Sequence, residues 1–128
     1  MKLFLRIYAH CSGDEQAAAI NNRLISRLGT HCPVQSVRPY PYWKIPAYYG
    51  FEFELAGNTL EDYEAIVALA HDGWDHRLTE RDRTSVWNHS ADSTFLVPEA
   101  AWAEIQLLPE APDLDTSQGA VAKGSNVS

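Results

Sequence analysis

The stretch "KLFLRIYAHCSGDE", residues 2–15, contains the change of period that decides the fold. Leu3, Leu5, Ile7 and Ala9 alternate with Lys2, Phe4, Arg6 and Tyr8, as in a strand with one face in a core and the other open. Ser12 then stands three residues before Glu15, the spacing of a capping box, and predicts a helix start. Beyond it Ala17, Ile20, Leu24 and Leu28 recur at helical spacing. Arg23 and Arg27 sit towards the helix's negative end, and Gly29 supplies the stop.

A second unit follows. Val34 to Arg38 predicts a strand, and "YGFEFEL" another, with Tyr49, Phe51, Phe53 and Leu55 on one face and Glu52 and Glu54 on the other. "GNTLEDYE" opens a second helix that Asn58 or Thr59 can cap, with Tyr63, Ile66, Val67 and Ala70 as its buried stripe. "SVWNH" and "STFLV" read as short strands, and "AWAEIQLL" as the last strand. The order β-α-β-β-α-β predicts an α+β fold: a two-layer, ferredoxin-like split βαβ sandwich with an antiparallel sheet. Both helices would cover the Leu3/Phe51 face, and an extra hairpin would precede the last strand. Lys2, Phe4, Arg6, Tyr8, Glu52, Glu54, Trp102 and Glu104 would share the other face, with Lys2 and Arg6 paired to Glu52 and Glu54. Residues 1–110 then form one domain. Residues 111–128, rich in Gly, Pro, Ser, Ala and Asp, read as a disordered tail.

The 128 residues suffice for one core without staples, and 45% hydrophobic with 21% charged is a globular composition. No apolar run reaches membrane-spanning length, and the first residues are too broken for a secretory segment, so a cytoplasmic protein is expected. The formal charge of -7, from 17 acidic and 10 basic side chains, disfavours nucleic acid and anionic membrane as partners. It suits a basic protein partner. Phe4 and Tyr8 could form a base-stacking platform, but Glu52 and Glu54 on the same face would repel phosphates.

Three arrangements bear on chemistry. The strand order places the His10–Cys11 turn, the loop "PYPYWKIPAYY" and "HDGWDH" (His71 to His76) at one end of the domain, and His31 and Cys32 at the other. The two cysteines would lie roughly 20 Å or more apart along the first helix, too far for a disulfide. Cys11, before a helix N-terminus, could be an activated thiol with His10, His71 or His76 as base and Asp72 or Asp75 orienting it. A metal site would need His10, His71, Asp75 and His76, but the two histidines of "HDGWDH" straddle Gly73 and share no rigid helical face. No metal or other cofactor is expected. The structural alternative makes "HDGWDH" the end of the second helix, with Gly73 left-handed and Trp74 packed on Leu69. The third arrangement is an interface: Tyr40, Tyr42, Trp43 and Tyr48 on a proline-stiffened loop beside Asp72, Trp74 and Asp75, aromatic anchors ringed by charge.

The segments "NTLEDYEAIVALAHDGWDH" and "SVWNHSADSTFLVPEAAWAEIQLLPE", in a small acidic α/β chain, resemble the immunity proteins of bacterial contact-dependent growth inhibition and related toxin systems. The resemblance implies a non-enzymatic protein that binds a cognate toxin domain, often a basic nuclease, and neutralises it by occlusion. It carries over no catalytic residue. The alternatives are a small thiol enzyme or sensor using Cys11 with His71, and a ligand-binding regulatory domain that dimerises through the open sheet face.

Overall fold

The computed structural model describes residues 2–56, 60–70, 72–78, 83–89 and 93–108. Its elements are β1 (Lys2–His10), α1 (Asp14–Leu28), β2 (Val34–Ser36), β3 (Tyr40–Pro41), β4 (Tyr48–Leu55), α2 (Leu60–Val67), β5 (Trp74–Leu78), β6 (Arg83–Asn88) and β7 (Ala100–Leu108). All strand pairs are antiparallel, in the order β2-β4-β1-β7-β6-β5, with β3 also paired to β4. Among the described residues the fold is α+β: an open seven-stranded sheet and two helices.

The alternation in β1 is realised residue by residue. Leu3, Leu5, Ile7 and Ala9 are buried, as are Tyr49, Phe51, Phe53 and Leu55 of β4 and Ala103, Ile105 and Leu107 of β7. Ala17, Ile20, Leu24 and Leu28 of α1 and Tyr63 and Ile66 of α2 complete the same cluster, so both helices cover one face. Removing this apolar surface from water is the main stabilising term. The opposite face carries no helix among the described residues.

Several local expectations are corrected. The N-cap of α1 is Gly13, without a side-chain cap, and Glu15 closes no capping box. Instead Gln16 reaches back, its Oε1 accepting from the Ser12 amide at 2.7 Å and the Ser12 hydroxyl at 2.8 Å. Within the proline-stiffened loop, Tyr40 and Pro41 form a two-residue ladder on β4. The expected caps Asn58 and Thr59 and the 111–128 tail lie outside the described residues.

The extra hairpin precedes the last strand, but its strands are β5 and β6. "STFLV" makes only an isolated bridge, Phe95 to Val97. α2 ends at Val67, so "HDGWDH" does not terminate a helix: Trp74 to His76 already belong to β5. Gly73 is left-handed, with φ of 96°, as a link into β5 and not as a helix cap. A β-carbon there would meet the Asn88 carbonyl at 2.7 Å and the Trp87 indole at 2.8 Å. Trp74 packs edge-on against Phe95, centroids 5.3 Å apart, while Leu69 remains exposed. The indole of Trp74 donates to the Ala70 carbonyl at 3.0 Å, closing the turn after α2.

Candidate binding face on the open sheet

The uncovered face is built by the outward positions of the same alternation. β1 lies between β4 and β7, with Tyr8 opposite Gly50 on one side and Trp102 on the other. Tyr8 stacks on Trp102 at 5.1 Å and on Tyr42 at 4.2 Å, so three rings form a row across strands β7 and β1 to the β3–β4 loop. Gly50 makes room for a fourth ring: a β-carbon there would sit 2.4 Å from the Tyr40 ring, so only glycine lets Tyr40 lie flat on β4. The Tyr40 hydroxyl donates to Glu52 Oε2, and Glu52 also pairs with Arg6 at 3.4 Å. The expected pairing of β1 cations with β4 carboxylates is therefore present for Arg6 and Glu52, which face each other in register.

These groups hold one another in charge. Burial pushes the Tyr40 hydroxyl pKa up, and its hydrogen bond to Glu52 pushes it further, so the phenol stays protonated. Burial works against the Arg6 charge, but Glu52, with smaller contributions from Tyr8, Tyr40 and Glu104, outweighs it and raises the guanidinium pKa. Below this network a groove of about 390 Å³ runs along the face, lined among others by Phe4, Arg6, Val37, Glu52, Glu54 and Gln106. On the β3–β4 loop Trp43 is 81% exposed, with the Lys44 ammonium 5.2 Å from the ring. The surface thus offers aromatic plates beside carboxylates. That combination receives guanidinium and ammonium groups, by cation–π contact and by charge-assisted hydrogen bonds.

The expected interface is split by the sheet. Tyr40, Tyr42, Trp43 and Tyr48 are together, with Tyr48 meeting His10 edge-on at 4.6 Å. Asp72, Trp74 and Asp75 are not beside them. β5 forms the opposite edge, separated from β4 by β1, β7 and β6, roughly 20 Å at the usual strand spacing. Strand direction was sufficient to place both groups at one end, but not to place them across the sheet, because the inserted hairpin carries β5 outward. Asp72 has a structural part there. Its carbonyl accepts from the Trp87 indole at 3.0 Å and the Ser93 hydroxyl at 2.7 Å, and its carboxylate accepts from the Gly73 amide at 2.8 Å. Asp75 pairs with Arg77 at 3.5 Å. Trp102, Tyr8, Arg6 and Glu104, absent from the expected interface, belong to the aromatic face; their outward phase in β1 and β7 was the available signal.

Cys11 is buried, and its thiol donates to the Gly13 carbonyl at 3.2 Å. Among the candidate bases, His10 turns its ring to Tyr48, and His76 on β5 places Nδ1 2.6 Å from the Ser85 hydroxyl. His71 lies outside the described residues. Neither Cys11 nor Cys32 is in a disulfide. Among the described residues no three His, Cys, Asp or Glu side chains are grouped to hold a metal, and no helix is long and apolar enough to cross a membrane. Comparison with protein-family models, with curated proteins and with solved structures returns no match.

Proposed function

We propose that this chain is an immunity protein that binds a basic toxin domain through its open sheet face and neutralises it by occlusion, without catalysis, in the cytoplasm. The observation that carries the reading is the ring row Tyr42–Tyr8–Trp102 beside the carboxylates of Glu52, Glu54 and Glu104, on the uncovered face of a chain of net charge -7. Rigid aromatics give a large contact area at small entropic cost, and the acidic surround speeds encounter with a basic surface. The core order β2-β4-β1-β7 supports a ferredoxin-like split βαβ reading of the scaffold, with β5 and β6 added at the β7 edge.

The test is co-expression with the product of the adjacent reading frame, read as growth rescue and as a complex of the two chains. Trp102→Ala should weaken that complex by about 2 kcal/mol or more, as a central aromatic anchor does. Glu104→Lys should slow association and flatten its salt dependence. A complex indifferent to both changes would place the binding surface elsewhere and sink the proposal.

A further inference from the structure

The two edges of the sheet are not alike. The β2/β3 edge is broken into pieces of three and two residues and carries Pro33, Pro39 and Pro41 in or beside them, which blocks pairing. The β5 edge is one straight piece, Trp74–Leu78, with neither proline nor glycine, and among the described residues nothing pairs with its outer side.

Its backbone phase can be read from one hydrogen bond. The Asn88 amide donates to the Gly73 carbonyl at 3.1 Å, which makes that rung a hydrogen-bonded pair of the β5–β6 register. Rungs alternate along an antiparallel ladder, so Asp75 and Arg77 spend their backbone groups on β6. Trp74, His76 and Leu78 turn theirs outward. The imidazole of His76 is drawn back against Trp74, rings stacked at 6.2 Å, and onto Ser85, and among the described residues no strand pairs with its outward amide and carbonyl.

The sequence of this edge, Trp-Asp-His-Arg-Leu, is self-complementary in charge about His76. Paired antiparallel with a copy of itself, with His76 on the two-fold axis, it sets Asp75 opposite Arg77 of the copy and Arg77 opposite Asp75. Those two rungs are the non-hydrogen-bonded ones, where Cα atoms approach to about 4.5 Å and side chains lie closest. Asp75 and Arg77 are 66% and 72% exposed, and among the described residues their ion pairing is a long contact of 3.5 Å within their own strand. We propose that the partner of this edge is a second copy of the chain, and that two copies join β5 to β5 into one continuous sheet. Because the interface is isologous it closes after two subunits and leaves the aromatic face uncovered.

Light scattering across a concentration series reads the result. The wild-type chain should pass from monomer to dimer. Asp75→Arg and Arg77→Asp should each put like charges on both cross-strand rungs and weaken the dimer about tenfold or more. The two variants mixed should recover it as a heterodimer. On one rung the introduced arginine of one chain then faces the introduced aspartate of the other, and on the second rung the native Arg77 faces the native Asp75. Circular dichroism on each variant checks that the fold is kept, and the recovery on mixing excludes misfolding as the cause of the loss. A wild-type chain that stays monomeric to submillimolar concentration overturns the proposal. So does a dimer indifferent to either single change, or a mixture that fails to pair.

Discussion

The β4–β1–β7 part of the sheet and the β5–β6 hairpin are held by different means. In the first, contact is made by runs of apolar side chains: Leu3, Leu5 and Ile7 lie opposite Leu55, Phe53 and Phe51 on one side and Leu107, Ile105 and Ala103 on the other. In the second, the fully buried Trp87 packs on Phe95 and adds directed polar contacts. Its indole meets the Asp72 carbonyl and the Ser93 hydroxyl, and the buried Ser85 hydroxyl links Tyr63 of α2 to His76 of β5. The first is specified by a repeating pattern, where one apolar residue can replace another. The second is specified by single partners, where it cannot.

The largest expected effect tests that difference directly. Phe51→Leu keeps an apolar side chain in an apolar site and should cost about 1 kcal/mol. Trp87→Phe leaves a cavity and also removes the donor to the Asp72 carbonyl, and should cost about 2–3 kcal/mol. Urea unfolding followed by circular dichroism measures both. Equal losses would break the comparison.

The two glycines sharpen it at lower cost. Gly73→Ala meets backbone at 2.7 Å in a left-handed conformation, so neither the neighbour nor the chain can give way, and a loss of about 2 kcal/mol is expected. Gly50→Ala meets only the outer atoms of the Tyr40 ring, which can swing out. Its stability cost should stay within about 1 kcal/mol, but it should detach the Tyr40 hydroxyl from Glu52. The phenol would then titrate nearer its ordinary value in ultraviolet difference spectra.

The same contrast governs what was legible in the sequence. β1, β4 and β7 and both helix stripes could be read because burial there repeats with period two or near four. β5 hid because His76, two residues after Trp74, is a polar side chain that rests on the buried Ser85 where a core strand would carry an apolar one, so no apolar alternation marks it. The aromatic loop was legible from its composition, whereas its true neighbours, Tyr8 and Trp102, came from strands distant in sequence. Trp74 and Gly73 looked like a helix end because a left-handed glycine marks one more often than it marks a link into a strand. What decided between the two was the Trp87 indole, a partner that local spacing could not reveal.

The smallest effect lies where an ion pair ties α1 to the turn before β7. Arg23 Nη1 donates to Glu99 Oε2 at 3.0 Å, while Glu99 Oε1 is buried with no hydrogen-bond partner among the described residues. Burial works to raise the Glu99 carboxyl, but the Arg23 hydrogen bond, a backbone hydrogen bond and the charges of Arg23 and Arg27 together outweigh it and the pKa is lowered. A carboxyl lowered on folding adds stability above its unfolded value of about 4.3, and loses it as pH falls through the folded value. With side chains 40% and 26% exposed, solvent screens the pair, and less than about 1 kcal/mol is expected from it. Arg23→Gln should therefore lower stability at neutral pH and converge with the wild type below the folded pKa of Glu99. Unfolding midpoints compared between neutral and acid pH decide it: a gap that persists undiminished in acid would mean that Arg23 acts by packing its stem on α1 and not by its charge.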